Sequence, residues 1–196
     1  MIADLPVCVS MAIIAYQDFK NRLVDDWAFL PSLIFFPLAL LTYPHVLTSV
    51  IVKALIMGLL GLLVYKLGLA AQADAIILPL LTFSTGALSP LPSFVGAGIA
   101  GLTHMFYVFL KRGSKGFSKI VSVEDALKDD KWIPRKVILG DVEEELPMPP
   151  EKAWDKLREY KDEKAKVLVS FGTPLAGYFA LGYLGYFLLR LFVPSI

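Results

Sequence analysis

Leu47-Thr-Ser-Val-Ile-Val-Lys-Ala-Leu-Ile-Met-Gly-Leu-Leu-Gly-Leu-Leu-Val-Tyr-Lys-Leu-Gly-Leu69 carries two charges, Lys53 and Lys66, in 23 residues. As a helix rising about 1.5 Å per residue it is long enough to cross a hydrocarbon core about 30 Å thick. It has no polar face to turn toward water, so a soluble two-layer domain has no place for it. Five further apolar segments flank it: Ile2 to Gln17, Trp27 to Tyr43, Ala75 to Leu88, Pro92 to Leu110 and Val167 to Val193. The first and fourth are short for a bilayer, which brings water near their ends.

The rest of the chain is of opposite character. Of the 19 basic and 18 acidic side chains, 27 lie between Lys111 and Lys166. The expected fold is therefore an all-α polytopic membrane protein of six helices with a small cytosolic α+β insertion. Residues 1–110 hold helices one to five, 111–166 the insertion and 167–196 helix six. Within the insertion, Lys119 to Glu124 and Lys136 to Leu139 read as short β-branched strands and Leu146 to Pro150 as a breaker. Glu151 to Lys166 reads as a charged helix, with Trp154, Leu157 and Tyr160 on one face, leading into the sixth span. A net charge of +1 gives no sign of nucleic-acid binding, and a single cysteine, Cys8, excludes both an internal disulfide and a Cys-rich zinc site.

Orientation follows from the basic residues. Lys20, Arg22, Lys66, Lys111, Arg112, Lys115 and Lys119 fall on one side of six spans, which the positive-inside rule makes the cytoplasm, with both termini outside. Asp4 near the start, the lack of a basic n-region and the following Lys20 and Arg22 argue against a cleaved signal peptide. Lys53 and Arg190 sit near the outer ends of their spans and are expected to snorkel to the interface. Asp4 is expected at the outer surface in water, and Phe179, Tyr183, Tyr186 and Phe187 toward lipid or the interface.

Acids in apolar spans are costly and ask for a reason. Asp25 and Asp26 lie in a polar loop. Asp18 closes the first segment and Asp74 opens the fourth, and topology puts both at one depth near the cytosolic surface. Two carboxylates that face each other share a proton, so that one accepts a proton from water while the other donates to a carbonyl oxygen. The ordinary alternative is that each caps a helix or pairs with Lys20, Arg22 or Lys66. Gly96-Ala-Gly-Ile-Ala-Gly101 has the spacing of a dinucleotide loop without the strand and βαβ unit that give it meaning, and reads as helix packing. Gly58 with Gly61, and Gly177 with Gly182 and Gly185, read the same way. His104 reads as a hydrogen-bonded bundle residue.

At the two aspartates a family resemblance enters. Asp18-Phe-Lys20-Asn-Arg22-Leu-Val24-Asp-Asp-Trp27 resembles the first aspartate motif of the type IV prepilin peptidases, most closely of the archaeal preflagellin peptidases. Ala71-Gln-Ala-Asp74 is similar to the second motif in its archaeal form, with Ala71 where the family has glycine, and Gly68 matches a glycine further upstream. Thr173-Pro174 is similar to a Thr-Pro element of the archaeal members. The resemblance implies an intramembrane aspartic endopeptidase with Asp18 and Asp74 as its catalytic pair, no cofactor and no metal. It removes a short basic leader from preflagellin or prepilin-like precursors at the cytosolic face of the cell membrane. Without a cysteine cluster, the methyltransferase activity of bacterial members is not expected. Gln72, Asp25 and Asp26 are candidate substrate contacts, and the Asp141 to Glu145 run is a candidate for steering the leader, though a solvated surface explains it as well. The competing readings are an ion-coupled transporter using Asp18, Asp74, Lys53 and His104, and a relative that binds leaders without cutting them.

Overall fold

The computed structural model describes residues 2–67, 70–112, 118–128, 131–147, 150–160 and 165–193. Gly68 and Lys115 lie outside these, as do positions 161–164 of the expected charged helix. Among the described residues, four helices are long and apolar enough to cross a membrane: Ile2–Asn21, Pro44–Lys66, Leu91–Leu110 and Leu175–Phe192.

α1 (Leu5–Asn21) follows a 3-10 turn at Ile2–Asp4 and runs past the expected Gln17, so Asp18 lies inside its last turn. Val7, Met11 and Ile14 recur at helical spacing and are fully buried in one core with Ala176, Ala180 and Tyr183. The second segment is not one α-helix. Asp26–Ile34 is a 3-10 helix containing Pro31, and α2 covers Phe35–Thr42. Pro31 has no N–H for an α-helical ladder. The tighter turn is held by Ser32, whose hydroxyl donates to Phe29 O at 2.6 Å and whose N–H donates to Ser10 Oγ at 2.9 Å.

α3 (Pro44–Lys66) is the quoted stretch. Leu55, Ile56, Leu59, Leu62 and Leu63 are exposed along it, a face suited to lipid and an aggregation hazard in water. α4 (Gln72–Leu80) is shorter than expected and closes just after its Pro79. The chain from Leu81 to Ser89 continues as turns whose backbone is tied by side chains, including Ser89 Oγ to Leu81 O at 2.5 Å. This part of the chain still joins the two ends of the bundle, since Asp74 shares a cavity with Asp18 while Thr85 bonds to Asp4.

α5 (Leu91–Arg112) packs along α8 (Leu175–Phe192) at Gly96 and Gly182. A Cβ on Gly182 would stand 2.1 Å from Ser93 O and 2.6 Å from Ala97 N, both backbone atoms that cannot swing away. In lipid, where apolar burial gives helices no mutual attraction, such close approach supplies the packing energy. Gly58, Gly98 and Gly185, expected to pack in the same way, would each meet nothing within 4 Å. Gly182→Val is expected to destabilise the detergent-solubilised protein by about 1–3 kcal/mol, the usual range of overpacking. Gly185→Ala should leave the unfolding midpoint unchanged or raise it slightly, and equal losses in both would contradict this packing.

The polar block folds as a four-stranded antiparallel sheet in the order β1-β4-β2-β3. β1 is Ser118–Ser122, β2 Trp132–Leu139, β3 Val142–Glu145 and β4 Lys166–Phe171. α6 (Val123–Lys128) and α7 (Pro150–Arg158) cover it. Val137, Val167, Val169, Ala153 and Leu157 form its fully buried centre. β4 corrects the expectation that the sixth span begins at Val167. Val167 and Val169 alternate inward as a half-buried strand does, and a short apolar run does not by itself distinguish strand from helix. Gly172, Thr173 and Pro174 then end the strand, and α8 begins at Leu175.

Three further expectations change. Asp4 is fully buried, with its Oδ2 accepting from Arg190 Nη1 at 3.0 Å. Arg190 therefore does not snorkel but turns inward. Tyr183 and Tyr186 are buried rather than facing lipid, and Tyr183 donates its hydroxyl to Phe83 O at 2.6 Å. Lys53 does reach an end of the bundle, where its Nζ donates to Ala87 O at 3.0 Å.

Candidate active site

At the other end of the bundle, α1, α4, α8 and the sheet converge on a cavity of about 270 Å3 whose lining includes both Asp18 and Asp74. Each carboxylate is placed by a helix N-terminus, where N–H groups lack intrahelical partners. Gly177, in the first turn of α8, donates its N–H to Asp18 Oδ2 at 2.6 Å. Asp74, in the first turn of α4, accepts the N–H of Ala71 at 3.0 Å, the reach-back half of a capping box. The capping alternative weighed from sequence is thus real for both residues. It does not compete with a site, because both capping carboxylates also face one cavity.

Gly177 is what allows α8 to come this close. A Cβ there would stand 3.2 Å from Asp18 Oδ2 and 2.9 Å from the Phe19 ring. Its sequence reading as a packing glycine is correct, and the surface it packs on is the site itself. Asp18 is only 6% exposed. Beside it, His104 Nδ1 pairs with the Tyr178 hydroxyl, and the His104 ring meets Phe19, Phe171 and Tyr178 edge-on.

Arg22 ties these parts together. It ends α1 in the left-handed region at φ 58°, among the described residues the one non-glycine there, a conformation costing about 1–2 kcal/mol. Three hydrogen bonds and a ring contact offset that cost. Arg22 Nε donates to Gly172 O at 2.8 Å, and Nη1 donates to Asp18 O at 2.7 Å and Phe19 O at 3.0 Å. The guanidinium lies 5.2 Å from the Phe171 ring centre. Arg22 therefore fixes the end of α1 to the β4–α8 junction, while Lys20, a candidate partner of the aspartates from sequence, is exposed and donates to Tyr16 Oη at 3.1 Å.

The lower-ranked candidates fall elsewhere. Gln72 is exposed and lines a separate groove with Gly58, Leu62 and Tyr65 between α3 and α4. Asp25 accepts from Gln17 Nε2 at 3.0 Å and Trp27 Nε1 at 3.1 Å, anchoring the start of the 3-10 helix. Asp26 is exposed, and neither it nor Asp25 lines the cavity. Glu143 and Glu145 face Lys136 at 3.4 and 3.5 Å, and Glu144 accepts from Tyr160 Oη at 2.5 Å. The three glutamates of the acidic run are thus partnered within their own module.

Sequence reasoning missed the part of the lining that the polar block contributes: Ile133, Arg135 and Phe171 from the sheet and Trp154 from α7. Trp154 was legible as part of a helix face, but not as facing a membrane-helix end. Thr173 also lines the cavity, and Pro174 precedes the first turn of α8. Among the described residues no group of three His, Cys, Asp or Glu side chains is placed to hold a metal ion. Compared with family models, curated proteins and solved structures, the chain matches none.

Proposed function

We propose that this protein is an intramembrane aspartic endopeptidase that removes short basic leaders from preflagellin-like or type IV prepilin-like precursors. The observation that carries the reading is the shared cavity: two acids from separate apolar segments line one space, and acids in such segments are rare without a task. The resemblance of the Asp18 and Asp74 motifs to the prepilin peptidases supports the same chemistry. The cavity end is cytosolic, with six passes of the chain through the bilayer and both termini outside, as the basic residues favour.

In the reaction, the pair holds one proton. The ionised carboxylate takes a proton from water as the water oxygen bonds to the scissile carbonyl carbon, and the protonated partner gives its proton to the carbonyl oxygen. Return of a proton to the amide nitrogen breaks the C–N bond and frees the mature N-terminus. In the resting structure Asp18 and Asp74 each hold a helix N–H, so a substrate that draws them together takes the place of those contacts.

The transporter reading needs Lys53 to share a path with the aspartates. Lys53 instead bonds to Ala87, in the turns that also bring Thr85 to Asp4, at the end of the bundle away from Asp18. Purified protein in detergent, incubated with a preflagellin, is expected to yield a product whose new N-terminus lies just after the basic stretch. Binding of the precursor without a cut would assign the chain to a non-cleaving role.

A further inference from the structure

Among the described residues α5 gives none to the cavity lining, yet its His104 reaches the aspartate end of the bundle. The His104 ring meets one aromatic ring from each of three elements. Between ring centres, Phe19 of α1 is 6.1 Å away, Phe171 of β4 6.3 Å and Tyr178 of α8 5.8 Å, all edge-on. His104 Nδ1 also pairs with the Tyr178 hydroxyl. Tyr178 is buried. Its ring lies between Phe19, 5.7 Å away, and Gly101, where a Cβ would stand 3.2 Å from it.

These contacts bear on Asp18 through its chain neighbours. Phe19 follows Asp18, and Tyr178 follows Gly177, whose N–H donates to Asp18 Oδ2 at 2.6 Å. A Cβ on Gly177 would stand 2.9 Å from the Phe19 ring, so the carboxylate is held where α1 and α8 touch. Gly177 has no side chain of its own to fix the direction of that N–H. Tyr178, the next residue, does: its ring wedges between α1 and α5, and its hydroxyl is tied to His104. A buried hydroxyl that loses its partner is costly, so without Nδ1 the first turn of α8 shifts to find another.

We infer that His104 is a positioning residue: through the Tyr178 hydroxyl it locks the first turn of α8, so that the Gly177 N–H stays aimed at the Asp18 carboxylate. For its effect on rate this rests on the peptidase reading, and for its effect on Asp18 on the contacts alone. His104 does not line the cavity, so it acts on Asp18 through Tyr178 and Phe19 and takes no part in the proton transfers themselves.

Full-length protein in detergent is treated with a hydrophobic carbodiimide, and modification of Asp18 and Asp74 is followed by peptide mass spectrometry. Single-turnover cleavage of a preflagellin is measured on the same preparations at rising enzyme concentration. His104→Leu and Tyr178→Phe are each expected to speed Asp18 modification about three- to tenfold, the worth of one net hydrogen bond, and to leave Asp74 at the parental rate. Each should lower the maximal cleavage rate about tenfold without moving the half-saturating concentration, because a misplaced catalytic group costs rate rather than binding. The double variant should be no worse than the more affected single, since both remove one contact. His104→Asn, whose amide takes the place of Nδ1 toward Tyr178 Oη, should bring both readouts back to within about threefold of the parent. Asp18 modification unchanged in His104→Leu and Tyr178→Phe, raised equally in His104→Asn, or raised together with that of Asp74, overturns the inference. If His104→Leu does not fold, Tyr178→Phe and His104→Asn decide by the same criteria. The expected pattern of Asp18 modification in a protein whose parent form cuts no precursor would refute the peptidase reading and keep the positioning role.

Discussion

Asp18→Asn and Asp74→Asn, made singly, are each expected to lower the rate of leader cleavage by about 10²- to 10⁴-fold, the contribution of general acid–base catalysis, while leaving the unfolding midpoint close to that of the parent protein. The two halves of this expectation come from different properties of the same side chain. An asparagine keeps an oxygen that accepts from Gly177 N–H or Ala71 N–H, so α8 and α4 stay capped. It cannot exchange a proton at the pH of the reaction, so the pair no longer activates water. Asp18→Ala separates the two roles from the other side. It should lose the same activity and in addition about 0.5–2 kcal/mol of stability, the range for a lost cap. Rates come from single-turnover cleavage of a precursor in detergent micelles and stability from thermal or SDS unfolding of the same samples. Cleavage retained by either asparagine variant would sink the mechanism, and unfolding of both would leave Asp18→Ser and Asp74→Ser, whose hydroxyls also accept, to decide it.

The aspartates could be found from sequence because charge is scarce around them. An acid in an apolar segment has few innocent explanations, and alternation of the segments across a bilayer put these two at equal depth. Asp4 and Arg190 were equally scarce and were misread. Each lies within a turn or so of a segment end, where water or snorkelling accounts for it, and 186 residues separate them. No local pattern pairs two such residues. The fourth strand failed for another reason: Val167-Leu-Val169 fits a buried strand and the start of an apolar helix equally well, and only pairing with β1 and β2 decides. Ile133, Arg135 and Phe171 could not be singled out as cavity lining, because which strand residues face the membrane-helix ends depends on how the strands pair and where the sheet sits, and leaves no mark on one strand.

The buried pair at the far end of the bundle sets the largest expected effect on stability. Asp4 Oδ1 accepts from Thr85 N at 2.7 Å, and its Oδ2 accepts from Thr85 Oγ1 at 2.8 Å and Arg190 Nη1 at 3.0 Å. Arg190 also donates to Ser84 Oγ at 3.1 Å. Three separate parts of the chain, its first turn, the segment after α4 and the last turn of α8, thus meet in one polar cluster about 21 Å along α1 from Asp18. Forming such a pair gains little overall, because two ions leave water, but removing one partner strands the other. Asp4→Ala and Arg190→Met should therefore each cost about 3–5 kcal/mol. The double variant removes both charges and should be destabilised by less than the sum of the singles, with a coupling of up to about 3 kcal/mol. SDS or thermal unfolding of the four proteins in one detergent closes the cycle, and additive losses would show that the contact contributes nothing as a pair. The site at the opposite end depends on this cluster through geometry. α1 carries Asp18 and α8 carries Gly177, and their contact requires the two helices to keep register along their length. Releasing Asp4 from Arg190 frees that register at its far end, so at temperatures where the single variants remain folded, Arg190→Met should lower the rate of cleavage while Lys53→Met, which removes only an exposed contact to Ala87 O, should not.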